Sequence, residues 1–113
     1  MGLERRRHAR FAALYPVEIR AEDETLEHGE LQDLSVSGCG VRLGRSLPPD
    51  LPVRLRCDIG GVGLRFHGRI AWSKPGPSAA VHGILIEGFT SDADAVFHQI
   101  FLLRLAESRT GLS

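Results

Sequence analysis

The chain has 113 residues, enough for one domain with one core, and equal numbers of acidic and basic side chains give it zero formal net charge. No apolar run approaches the length of a membrane helix, and no secretory signal follows the charged start, so the expected compartment is the cytoplasm. Cys39 and Cys57 are expected as reduced, buried thiols, and the five histidines make no metal-ligand spacing with them.

Charge is unevenly spread. Arg5, Arg6, Arg7 and Arg10 face a single acid, Glu4, within residues 1–10, whereas residues 18–30 are strongly acidic. A basic head on a neutral domain suggests a local anion site rather than the broad basic face that duplex DNA requires, so no DNA partner is expected. Residues 1–10 carry few apolar side chains and read as a flexible arginine-rich arm, ordered by a partner.

Phe11 to Arg20 alternates, with Tyr15, Val17 and Ile19 on one side and Glu18 and Arg20 on the other. That is the period of a strand with one wet face. After an acidic turn, residues 27–34 form a second strand ending at Asp33 and Leu34. A polar corner follows, Ser35-Val-Ser-Gly38, before a third strand with Cys39, Val41 and Leu43 on one side. Asp and Ser side chains bond nearby backbone N–H groups and glycine relieves crowding, so the corner reads either as a plain hairpin turn or as a polar pocket at a barrel end.

A Pro-rich loop precedes the fourth strand, where Val53, Leu55 and Cys57 alternate with Arg54, Arg56 and Asp58. Gly60-Gly61 makes a tight hairpin. The fifth strand is long. Val62, Leu64, Phe66, Ile70 and Trp72 share a face with Gly68, a residue that permits a bend, and Arg65, His67 and Arg69 share the other. Residues 81–86 form a more uniformly apolar sixth strand, expected to be covered on both faces, with Leu85 as a possible outward contact. Ser91 caps a helix in which Val96, Phe97, Ile100, Phe101 and Leu103 recur at helical spacing. His67 and His82 are expected on strand surfaces. Residues 108–113 read as a tail, leaving one barrel domain over residues 11–107. Six strands with regular turns and then a helix predict a mainly β fold, a six-stranded antiparallel β-barrel with a C-terminal α-helix.

Arg6 and Arg10 in Arg-Arg-His-Ala-Arg, followed after two strands by Asp33, Ser35 and Gly38 in Asp-Leu-Ser-Val-Ser-Gly, and then by further strands and a helix, resemble the PilZ domain family over about residues 5 to 106. The resemblance implies a split barrel and a bacterial receptor for cyclic di-GMP, a regulator of motile and sessile behaviour. It implies a ligand site made by Arg5, Arg6, Arg10, Asp33, Ser35 and Gly38, with Arg5 tending to accompany two ligand molecules per chain. Guanidinium groups bind phosphate or the O6/N7 edge of guanine in pairs of bonds, and an ionised Asp accepts from guanine's opposite edge. With one domain in hand, output would pass to a separate effector protein, from a monomer or weak dimer. The competing readings are a nucleotide-independent interaction module of the same fold and, further off, an enzyme on a small barrel. No nucleophile–base pair, acid/base pair or metal cluster supports the last, so no enzymatic activity and no cofactor are expected.

Overall fold

The computed structural model describes residues 11–110, with side chains described as far as Glu107. The elements are β1 (Phe11–Ala21), β2 (Leu26–Leu34), β3 (Gly38–Leu43), β4 (Pro52–Ile59), β5 (Val62–Pro75), β6 (Ala80–Phe89) and α1 (Asp92–Thr110). All strand pairings are antiparallel and the sheet closes on itself in the order β1-β2-β3-β6-β5-β4. The expected six-stranded barrel with one C-terminal helix is therefore the observed fold. The helix continues to Thr110, into the segment expected as tail.

Alternation explains the core. Val17 and Ile19 of β1, Cys39, Val41 and Leu43 of β3, Val53, Leu55 and Cys57 of β4, and Leu64, Phe66 and Ile70 of β5 all point inward and pack as one cluster. The hairpin at Gly60-Gly61 has φ of 59° and 86°, which is why glycine stands at both positions. Gly68 permits the bend expected of it. A Cβ there would overlap the Leu85 carbonyl oxygen, and the β5–β6 register shifts between His67 and Gly68.

Three expectations need correction. First, a second register shift between Ile70 and Trp72 inserts Ala71 as an extra residue, so Trp72 leaves the core face and is 46% exposed. Second, His82 is wholly buried rather than on the surface; its Nε2 accepts the Leu47 N–H at 2.9 Å. Third, β6 is buried only over Ala80–Ile84 apart from half-buried Val81, and turns Leu85 and Glu87 to solvent.

The helix closes one end of the barrel. Ser91 caps it as expected: its Oγ accepts the Asp94 N–H at 3.2 Å and donates to Asp94 Oδ2 at 2.8 Å. Asp94 Oδ1 accepts the Arg65 N–H at 3.0 Å, tying the first turn to β5. Burial alone would raise the Asp94 carboxyl, but the Arg65 N–H, the Ser91 hydroxyl and the Arg65 charge together hold it below the usual carboxylate range. Phe97, His98, Phe101 and Leu102 face the barrel, with Phe101 edge-on to Tyr15 at 5.6 Å between ring centres.

Candidate functional site

The corner between β2 and β3 is held by its own side chain. Ser35 N–H donates to the Gly38 carbonyl at 2.9 Å. Ser35 Oγ also donates to that carbonyl, at 3.1 Å, and accepts the Gly38 N–H at 3.1 Å. The residue is buried, so this hydroxyl is spent inside the turn. Gly38 is required for a related reason. A Cβ would sit 2.6 Å from the Ile84 carbonyl oxygen, so the close approach is to β6. Ile86 N–H reaches the Ser37 carbonyl at 2.9 Å and pins the other side.

The helix meets the same corner. His98 Nε2 donates to the Ser35 carbonyl at 2.9 Å, and the ring packs against Phe89 with 5.0 Å between centres. Burial pulls the His98 imidazole below its usual value, and the bond to Ser35 opposes that only in part. The neutral ring with its proton on Nε2 satisfies the geometry.

Asp33 stands just before the corner, on the outer face. It pairs with Ala12 of β1 on one side and Gly40 of β3 on the other. Its carboxylate lies over Gly40, where a Cβ would come within 2.9 Å of Oδ2. Gly40 pairs in turn with Gly83 of β6. Over Gly83 lies the Trp72 indole, occupying the space a Cβ would take. Along one row across four strands, the outer face therefore presents a carboxylate, two glycines and an indole. The carboxylate and the indole overlie adjacent strands, about 5 Å apart in backbone spacing.

Of the expected site residues, Asp33, Ser35 and Gly38 come together at this corner, and Arg5, Arg6 and Arg10 lie outside the described residues. Arg10 is one residue upstream of Phe11, which pairs with Leu34, so the chain enters the barrel beside Asp33. Trp72 was missed because an alternating strand places it inside. The signal that would have found it is Gly83, a glycine in a buried strand with room above it for an aromatic neighbour.

Elsewhere, a cleft of about 430 Å³ runs past Arg20, Arg54, His67 and Glu87. Most of its charges already have partners, Arg54 with Glu24 at 2.8 Å and Glu87 with Arg69 at 2.8 Å. Among the described residues no group of three His, Cys, Asp or Glu side chains is placed to hold a metal ion, and no helix is long and apolar enough to cross a membrane.

A closed six-stranded barrel, a helix across one end and a serine-closed corner beside the Asp33 carboxylate define a small β-barrel domain. The PilZ domain family model matches residues 4–97, and the chain belongs to that family. Among solved structures, the fold is similar to that of the Bacillus subtilis inhibitor of motility (MotI/DgrA), with a TM-score of 0.73 and 17% identity over 96% of this chain and 53% of that one. The chain thus spans about half of that protein. It is also similar to the PilZ domain of YcgR from Escherichia coli, solved with c-di-GMP: TM-score 0.67, 18% identity, 96% of this chain and 99% of that one. The PilZ domain of CeSA from a cellulose-synthesizing bacterium matches with a TM-score of 0.57 and 28% identity over 83% of this chain and 93% of that one. No curated protein matches the chain in sequence.

Proposed function

We propose that the chain is a bacterial cyclic di-GMP receptor that binds the dinucleotide between its arginine arm and the outer face at Asp33. The observation that carries the reading is the row Asp33–Gly40–Gly83–Trp72, laid beside Phe11 and Ala12, the residues that follow Arg5, Arg6 and Arg10 in the sequence. Each element of that row suits one part of the ligand. The two glycines let the carboxylate and the indole lie flat across the strands as the floor of the site. The indole offers a face for a purine, and stacking of this kind contributes roughly 1–3 kcal/mol per base. The Asp33 carboxylate accepts N–H groups from guanine. The guanidinium groups supply paired, charge-assisted bonds to phosphate or to the O6/N7 edge. Ser35 and Gly38 enter this scheme as the residues that shape the corner. Two stacked ligands would use Arg5 together with Arg6, and the signal would then pass to a separate effector in the cytoplasm that controls motility or biofilm formation.

A second reading is favoured by one observation. The Ser35 hydroxyl and the Gly38 backbone are consumed by the fold itself, as they would be in a nucleotide-independent interaction module.

Calorimetric titration with cyclic di-GMP separates the two. Under the receptor reading, wild type binds saturably, Arg6→Ala or Arg10→Ala weakens binding by about 1.5–3 kcal/mol, and Asp33→Ala reduces discrimination against cyclic di-AMP. Trp72→Ala should weaken binding while leaving the barrel folded, and added salt should weaken it further through the phosphate contacts. Absence of binding by the folded wild type would establish the interaction module instead.

A further inference from the structure

The extra residue at Ala71 re-aims two side chains, not one. In strict alternation Ile70, Trp72 and Lys74 share the inward phase. The register shift between Ile70 and Trp72 carries both later residues to the outer face, where each is exposed. Bulges that redirect side chains in this way recur beside binding sites. Lys74 pairs with Val81 of β6, Val81 with Arg42 of β3, and Arg42 with Glu30 of β2. This row lies parallel to the row from Asp33 to Trp72, two residues along β3, β6 and β5 and so about 7 Å away. Arg42 and Lys74 flank the half-buried Val81, two strand spacings or about 10 Å apart. On this face Arg69 is bonded to Glu87 at 2.8 Å, and Arg42 stands 3.5 Å from Glu30. Lys74 has no ion-pair partner among the described residues.

Strand β1 gives the face a direction. Phe11 and Ala12 pair with Leu34 and Asp33, whereas Pro16 pairs with Glu30. The chain upstream of Phe11, which carries Arg5, Arg6 and Arg10, is thus joined on the corner side of the Asp33 row, and Arg42 and Lys74 lie on the far side. A cyclic dinucleotide carries two phosphates on opposite sides of its ring, so cations reaching from one side serve only one of them. We infer that Lys74 and Arg42 bind the second phosphate of the dinucleotide, closing on it over Val81 while a guanine stacks on Trp72. The inference rests on the receptor reading of this face and adds two binding residues from the strands themselves. The ammonium acts as a point charge and the guanidinium as a two-pronged donor. The bulge then supplies the base platform and a phosphate cation together.

Calorimetric titration of the full chain with cyclic di-GMP at low and high salt tests it. Lys74→Ala and Arg42→Ala should each weaken binding roughly tenfold, because each removes a charge-assisted contact. Both should keep the native circular dichroism spectrum, and both should lose affinity less steeply with salt than wild type does. Lys74→Arg should restore most of the affinity. Arg54→Ala, on the far side of the barrel, should bind as wild type. If wild type binds and both alanine variants match it, the inference fails and the receptor reading stands. An unchanged salt dependence, or an equal loss in Arg54→Ala, would also overturn the inference, since neither fits a local phosphate contact. A folded wild type that does not bind would overturn both readings.

Discussion

Replacing Gly38 with alanine should unsettle the barrel itself, with or without ligand. The new Cβ would lie 2.6 Å from the Ile84 carbonyl oxygen. That is about 0.7 Å inside an ordinary carbon–oxygen contact. Both groups are held by the backbone of a strand pair, so neither can rotate away and β3 must move from β6. The movement acts on the Ser35 N–H bond to the Gly38 carbonyl and the Ile86 N–H bond to the Ser37 carbonyl, both 2.9 Å. Two weakened bonds at about 1 kcal/mol each, or equivalently the usual cost of overpacking, give a loss of roughly 2–3 kcal/mol. For a domain of this size that lowers the melting temperature by roughly 10 °C or more. Gly44→Ala is the control, since a Cβ there meets nothing within 4 Å. Its effect should stay within about 0.5 kcal/mol. The assay is urea unfolding followed by circular dichroism on both variants. If Gly38→Ala unfolds at the same midpoint as Gly44→Ala, the steric argument fails. A stable Gly38→Ala that loses only ligand binding would assign the glycine to the ligand instead.

Two further outcomes follow from buried groups. Burial holds the imidazoles of both His82 and His98 below their usual value, so both are neutral in the folded chain and protonate more readily when it unfolds. Stability should be full above about pH 6.5, the unfolded value, and should fall as pH drops from there through the depressed folded values. Denaturant titrations above and below that pH should show the loss, and His98→Gln should reduce it; an unchanged pH slope in that variant would remove His98 from the account. Burial also pushes the Cys57 thiol up to about 12, and Cys39 is equally enclosed. A thiol reagent should label neither cysteine in native buffer and both on unfolding, whereas one rapidly reacting thiol in the native chain would contradict the packing.

Much of the barrel was legible because its strands keep strict alternation. Val53, Leu55 and Cys57 against Arg54, Arg56 and Asp58 leave one way to face a core, and all three apolar residues are buried. Trp72 was not legible, because nothing in Ile70-Ala71-Trp72 marks the extra residue that turns it outward. His82 carried a usable signal that polarity obscured. It shares the phase of Ile84, two residues on, and that phase points inward, where the Leu47 N–H meets its ring. The helix differs again: its apolar residues recur at helical spacing, yet they divide into a barrel face and an outward one. Asp33, Ser35 and Gly38 were recognised together from a motif, yet their roles separate in three dimensions. Two of them build the corner and one is presented beside it.

Closure of the sheet limits how this protein can be approached. β1 pairs with β2 on one side and, over Val17–Ala21, with β4 on the other, so closure leaves the ring only short unpaired edges, such as that of Phe11–Pro16 toward β4. Docking by strand addition, in which an extended peptide extends a sheet, needs a longer edge than that. A partner of this barrel therefore reads mainly side chains: the corner at Val36, the outer surface around Leu85 and Trp72, or the helix. The same closure deprives misassembly of a template, which lets a long and strongly apolar strand such as β5 persist without pairing to a neighbouring molecule.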